Sequence, residues 1–264
     1  MSDITYEQAV KMDHLMSHGQ FTDVLFPEMF TLAAPVGKEM VLDVGTGTGH
    51  LAHALSHKLN DGCIIGIDDS DAMLQVAKEK AVKEKIANYF PIRAKAEEMF
   101  FKDSTFDLAF CVRVLHHFDN PLAALKEIKR VLKADGHLML CEPLGPNDGK
   151  LREVLTESFQ AAHPDYKFYS QEMLEGMLNG AGFQEIRGTE AALSYNQEGL
   201  GGVPMGPHYM EAYHLVRMRK NAELMQKFNE QVFEVTEGPG GKIFIHGSLV
   251  FLVTLLGKKT SARK

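Results

Sequence analysis

No stretch of this sequence stays apolar long enough to cross a membrane. The longest candidate, LVFLVTLLG from Leu249 to Gly257, has strand length and falls well short of the roughly 18 apolar residues that a spanning helix needs. The amino-terminal MSDITYEQAVKMDHL carries acids and lacks the basic-then-apolar order of a secretory leader, so no signal peptide is expected. Basic residues are outnumbered, 28 Lys and Arg against 35 Asp and Glu, for a formal net charge of −7. That balance argues against a nucleic-acid surface, which needs clustered cations to neutralise phosphate. Cysteine is scarce: Cys63, Cys111 and Cys141 lie far apart, each in or beside an apolar run, without metal-ligand spacing. They read as buried, inert thiols in a reduced, cytoplasmic compartment, and no metal site is expected.

What is present is a soluble chain of 264 residues, long enough for one large domain with a substantial core. Residues 4–34 have helical periodicity and end in the turn APVGKE. From there apolar runs alternate with helical patterns. MVLDVG, CIIGID, NYFPIRA, DSTFDLAFCV and GHLMLCEP read as strands; HLAHALSHKL, DAMLQVAKEKAVKEK and NPLAALKEIKRVLK read as helices, the last with Asn120 as N-cap, Pro121 at N1 and the turn ADG after it. Strands rich in Val, Ile and Leu without polar alternation belong to a parallel sheet covered on both faces, and the repeated order strand, helix, strand means a doubly wound α/β sheet. The second half keeps the rhythm less strictly. GPNDGKLREVLTESFQAAHPDYKFY is an excursion, SQEMLEGMLNGAGF a helix, FQEIRGTEA a strand and GKIFIHGSLVFLVTLLGKK one long or bent final strand. About fifty residues rich in Met, Tyr, His and Phe separate the last two, including Tyr195, Met205, His208 and Tyr209. A connection of that length is usually a functional loop or cap.

The stretch VLDVGTGTGHLA carries the chemistry. Gly45, Gly47 and Gly49 form a strand-to-helix turn that brings main chain close to a ligand, at the carboxyl end of the first strand where open α/β sheets bind. The dinucleotide fingerprint G-x-G-x-x-G would place its third glycine at His50, and no G-K-[ST] follows for a phosphate-binding loop. Asp43, two residues before Gly45, would repel a pyrophosphate but suit a ligand carrying cationic ammonium and sulfonium groups. Asp68, 19 positions after Gly49 at the end of CIIGID, suits ribose hydroxyls.

Together VLDVGTGTGHLA, IIGIDDSDAML, AKAEEMFFKDSTFDLAF, VRVLHHFDNPLAALKEIKRVLKADGHLML and EMLEGMLNGAGF resemble the class I S-adenosylmethionine-dependent methyltransferases. Within them they are most similar to the ubiquinone and menaquinone biosynthesis C-methyltransferases and related small-molecule enzymes. The resemblance spans roughly residues 38 to 190 plus the final strand, with five blocks in order. It implies a mostly parallel seven-stranded Rossmann-like sheet in a single domain. An N-terminal helical lid would cover 1–34, the cofactor-binding core 35–190 plus 242–259, and a helical cap 191–241. It implies that Gly45, Thr46, Gly47 and Gly49 let the main chain approach the methionine and ribose portion, with Asp43 holding the loop and the ligand's ammonium. Asp68 would take the ribose hydroxyls and Asp69 would lie beside the adenine. Where family members carry an acid or amide before Ala to read the adenine edge, this chain has Lys95 and Ala96; the main-chain contact survives, and Glu97 is the acid that can replace the lost side chain. Val112 and Arg113 fall where the family contacts the methionine portion.

Methyl transfer from a sulfonium is an in-line displacement in which the protein mainly positions the acceptor and excludes water, so a base is needed only where the nucleophile must lose a proton. The candidates for that role are His116, His117, Glu142 and His208. The favoured reading is transfer to a small apolar or aromatic molecule, a homodimer being allowed by the sequence. A cofactor-binding protein without turnover is the alternative, hinted at by Lys95. An NAD(P)-dependent oxidoreductase is disfavoured by His50 and Asp43. Methylation of protein or RNA is disfavoured by the acidic charge and the lack of an appended recognition domain.

Overall fold

A computed structural model describes residues 4–16, 21–160, 166–195, 221–231, 234–237 and 243–256. Five parallel strands form the sheet's main part: β1 (Met40–Val44), β2 (Cys63–Asp68), β3 (Tyr89–Arg93), β4 (Phe106–Val112) and β5 (Leu132–Pro143). Three later strands, β6 (Ile186–Tyr195), β7 (Glu234–Glu237) and β8 (Ile243–Leu256), pair antiparallel. The order is β3-β2-β1-β4-β5-β8-β6, with β7 pairing off this path onto the first four residues of β8. The described sheet therefore has eight strands where seven were expected. The order reverses between β1 and β4, which places a ligand crevice over the carboxyl ends of these two strands.

Both faces of the central strands β1, β2, β4 and β5 are largely buried, which is why these strands lack polar alternation. Val41, Ile64, Leu108, Phe110 and Met139 point into one apolar cluster, while Leu42, Ile67, Ala109, Leu138 and Leu140 point into the other. The first is closed by α2 (Phe26–Ala33), α3 (His50–Ser56), α6 (Gly149–Gln160) and α8 (Ala222–Gln231), through residues such as Phe30, Leu55, Leu155 and Phe228. The second is closed by α5 (Pro121–Val131) and α7 (Gln171–Gly180), through Leu125, Ile128, Leu174 and Leu178. Asn120 caps α5 as its sequence predicts, its Oδ1 accepting from the Ala123 amide at 3.0 Å with Pro121 at the first helical position. The ADG segment after α5 is a bulge: Phe106 pairs with Leu132 but Leu108 with His137, so β5 already begins at the end of the helix.

The opening segment divides into α1 (Tyr6–Met16), a π-helical turn (Phe21–Leu25) and α2. Phe26, Met29 and Phe30 of α2 are core residues, and the Phe30 ring meets Phe110 edge-on at 6.2 Å. α1 lies instead on α4 (Asp71–Lys83), with Ala9 packed against Met73 and Val76 and the Tyr6 hydroxyl 2.6 Å from Glu79. No helix among the described residues is long and apolar enough to cross a membrane. Most of the expected cap, 196–220, 232–233 and 238–241, lies outside the described residues, and His208 with it.

Candidate functional site

The glycine turn is shaped by its neighbours. Gly45 has φ +68°, and a Cβ there would come within 2.3 Å of Val114, so only glycine lets the loop after β1 pass the loop after β4. Gly47 has φ +54° and nothing within 4 Å of where a Cβ would be, so its main chain faces open space that a ligand can enter. Its amide donates to Asp68 Oδ2 at 2.9 Å, while Asp68 Oδ1 accepts from the Ser70 amide at 2.9 Å. Asp68 thus ties the glycine loop to the start of α4, and Ser70 caps that helix. Burial raises the Asp68 carboxyl, and the two amides pull it back down.

Asp43 lies behind the loop, buried at the end of β1 and accepting from the Thr46 hydroxyl at 2.6 Å. Burial pushes its carboxyl up to about 7; the Thr46 hydrogen bond opposes this, and the nearby Asp68 charge adds to it. A cation arriving beside Asp43 reverses that balance.

A cavity of about 550 Å³ opens next to the loop. Of the expected cofactor residues, Gly45, Asp68, Asp69, Lys95, Ala96 and Glu97 line it. Asp43, Thr46, Gly47, Gly49, Val112 and Arg113 lie outside its lining, the first four in or behind the loop and the last two at the end of β4. The cavity also takes in the candidate base His117, and Ile67, Arg93, Ala94, Val114, Phe118 and Asp119, which the motif reading did not single out. Position could have found several of them: Ile67 immediately precedes Asp68, and Val114, Phe118 and Asp119 belong to the turn after β4 at the strand-order reversal. Arg93 pairs with Asp71 at 2.6 Å on the exposed rim, a contact that contributes little.

The turn after β4 is held from below by Glu142. This carboxylate is wholly buried; Oε1 accepts from the Val114 and Leu115 amides at 2.8 and 2.7 Å, and Oε2 lies 2.6 Å from His116 Nδ1. With a carboxylate oxygen at that distance, the His116 Nδ1–H is the donor to Glu142. The His116 ring packs tilted against His117 at 4.1 Å and Tyr166 at 4.3 Å, and those two rings meet edge-on at 5.8 Å. Of the catalytic candidates, His117 lines the cavity, whereas His116 and Glu142 are packed beneath it. Arg113 adopts φ +55°, a conformation that L side chains rarely take, at the end of β4 where the crevice lies. Its amide donates to the Cys141 carbonyl at 2.8 Å, and its Nη1 reaches Met16 Sδ of α1 at 3.3 Å.

A second link joins α1 to the loop. Asp13 Oδ1 lies 2.6 Å from Lys80 Nζ and 2.8 Å from His50 Nε2, the residue directly after Gly49. Burial pushes the Asp13 carboxyl up, but hydrogen bonds from His50 and Lys80 outweigh it and hold the group well below the usual carboxylate range.

A family model described as a methyltransferase domain matches residues 36–195, which take in β1 to β6 and the whole cavity. The ubiquinone/menaquinone biosynthesis C-methyltransferase UbiE of Shewanella woodyi is 31% identical over 56% of this chain and 68% of its own. The chain belongs to the class I S-adenosylmethionine-dependent methyltransferases. Within them it falls in the UbiE-like group, and the cofactor of that family is S-adenosylmethionine. The uncharacterized methyltransferase YcgJ of Bacillus subtilis is 33% identical over 48% of this chain and 49% of its own length, so the chain spans about half of that relative in the sequence match. The crystal structure of YcgJ superposes with a TM-score of 0.74 at 24% identity, covering 89% of this chain and 98% of that one, a likeness of fold.

The donor set of this chain fits the cofactor of that family. Buried carboxylates end the adjacent strands β1 and β2, the main chain at Gly47 is open, and apolar Ile67, Ala96, Val114 and Phe118 share the cavity wall with polar side chains. A purine and a ribose need such a mixture, and a cationic amino-acid end needs the carboxylate behind the loop.

Proposed function

We propose that this chain transfers a methyl group from S-adenosylmethionine to a small, apolar or aromatic molecule. The observation that carries the reading is the cavity lined by Gly45, Asp68 and Ala96, with the carboxylate of Asp43 buried behind the glycine loop. Asp68 accepts the ribose hydroxyls with the lone pairs that Gly47 and Ser70 leave over, and Asp69 lies beside the adenine. The Ala96 main chain reads the purine edge, with Lys95 and Glu97 flanking it. Asp43 faces the ammonium through the loop, and Val112 and Arg113 border the methionine portion.

When bound, S-adenosylmethionine supplies a methyl carbon already activated on a sulfonium. The residues around it therefore act mainly by orientation and by excluding water. α1, clasped to the loop through Asp13, His50 and Lys80, serves as a lid, and the Met- and aromatic-rich stretch over 191–241 serves as the cap that selects the acceptor. Where the acceptor must lose a proton, His117 is the group placed to receive it. Glu142 and His116 are positioning residues that hold the turn carrying His117. The same reading makes the protein a cytoplasmic enzyme of small molecules, its net charge of −7 unsuited to nucleic acid.

Calorimetric titration with S-adenosylmethionine, S-adenosylhomocysteine and NADH tests the cofactor half: both sulfur compounds bind and NADH does not. Incubation with methyl-labelled cofactor and a lysate, followed by mass spectrometry, tests the transfer half. Tight binding with no labelled small molecule would leave a cofactor-binding protein in place of an enzyme.

A further inference from the structure

Tyr89 starts β3, the edge strand of the sheet, yet it is buried and its ring runs under the glycine loop. A Cβ on Gly66 would stand 2.7 Å from its Cε2, and one on Gly49 would stand 3.1 Å from its Cε1 and its hydroxyl. Those two glycines form the slot in which the ring lies, with His53 edge-on at 5.6 Å. At the end of the slot the Tyr89 hydroxyl is 2.8 Å from Thr46 Oγ1, and Thr46 Oγ1 is 2.6 Å from Asp43 Oδ2.

Thr46 has one hydroxyl proton to give. If Asp43 is ionised, Thr46 must donate to it, and the Thr46 oxygen is then completed by accepting from the Tyr89 O–H. If Asp43 is protonated, the order of donors can run the other way. The direction of this buried chain is therefore tied to the charge on Asp43, and low surrounding dielectric strengthens each link.

We propose that Tyr89 is a positioning residue for the cofactor site, donating its hydroxyl proton to Thr46 so that Thr46 is committed as donor to an ionised Asp43. The inference rests on the reading that Asp43 receives the cationic amino-acid end of the methyl donor. It adds a residue 43 positions from Thr46 in the chain. The other titratable groups facing Asp43 are Asp68 at the end of β2 and Cys111 on β4, whose thiol burial holds neutral. Tyr89→Phe changes neither of them.

Tyr89→Phe keeps the ring in its slot and removes only the hydroxyl, so melting close to wild type is expected. Two readouts follow. In the ligand-free protein, the carbon-13 NMR titration of the Asp43 carboxyl should move upward by roughly half a pH unit or more from its wild-type midpoint. Calorimetry with S-adenosylmethionine near neutral pH should show a loss of roughly three- to tenfold that shrinks in alkaline buffer, where Asp43 is ionised in both proteins. Thr46→Val should shift both readouts further, and Thr46→Ser, which keeps the hydroxyl, should restore them. An Asp43 titration unchanged in both Tyr89→Phe and Thr46→Val, or an affinity loss equal at every pH, would overturn the proposal and leave Tyr89 as packing only. Asp43→Asn separates the two levels: unchanged cofactor affinity in that variant would refute the reading of Asp43 itself, whatever Tyr89→Phe does. If Tyr89→Phe fails to fold, Thr46→Val interrupts the same chain and reads out the same titration.

Discussion

Asp43 and Glu142 sit at the carboxyl ends of two strands of one sheet, both buried, and they are supplied with donors very differently. Glu142 accepts from two backbone amides and lies against the Nδ1 of His116. Among the described residues Asp43 accepts from Thr46 alone, and its carboxyl is pushed up to about 7 by burial. Burial by itself therefore does not mark a ligand site. A carboxylate whose acceptor capacity is met by its own chain holds the fold, and one left short of positive charge is suited to receive it from outside. Asp68 stands between the two cases, tied to Gly47 and Ser70 yet lining the cavity.

Removing Glu142 should have the largest structural effect. Glu142→Ala strands two buried amides and the His116 ring nitrogen, and a loss of about 3–5 kcal/mol in denaturant unfolding is expected. A variant that unfolds like wild type and loses only activity would break the contrast. Asp68→Ala comes next, with cofactor affinity in calorimetry falling more than tenfold, because a charged group's hydrogen bonds to the ribose are typically worth ~2 to 3 kcal/mol.

Asp43→Asn should separate binding from stability. The folded protein keeps a proton on Asp43 up to about 7, whereas the unfolded chain gives it up at about 4, so wild-type stability falls as pH rises through that window. The asparagine variant escapes this loss: ligand-free, it should melt higher than wild type near neutral pH while binding S-adenosylmethionine more weakly. A lower melting point would show that the carboxylate stabilises the fold after all. The smallest effect belongs to Asp13, a met carboxylate at the rim. Asp13→Asn should cost about 1 kcal/mol or less, with the wild-type contribution lost as pH falls, since the folded carboxyl lies below its unfolded value. Hydrogen exchange should show the α1 amides opening faster, and equal exchange would detach the clasp from the lid.

The parallel half of the molecule was legible because local signals agreed there. Unbroken apolar runs, the G-x-G-x-G spacing, the acids at the ends of β1 and β2 and the Asn120–Pro121 start of α5 all point to one arrangement. The rest depends on contacts that no local pattern carries. NYFPIRA reads as a strand, but nothing in it announces that Tyr89 reaches Thr46. His116 and His117 are neighbours in sequence, and a 3₁₀ turn sends one toward Glu142 and the other toward the cavity. The Ala-Asp-Gly signal for a turn is real, but it is absorbed as a bulge because Leu132 already pairs with Phe106. β7 is four mostly polar residues whose strand character comes from β8.

The central claim is that Asp43 is the carboxylate awaiting a cation, and proton release on binding tests it most directly. S-adenosylmethionine is titrated calorimetrically into wild type and Asp43→Asn at several pH values around 7, in pairs of buffers with different ionisation heats. The difference between the two proteins removes the ligand's own amino group, which titrates at about 8. A cation beside Asp43 lowers its carboxyl, so wild type should release a proton that the variant does not, and its affinity advantage should shrink as pH falls below about 7. Equal proton release and a constant affinity ratio across that range would contradict the account.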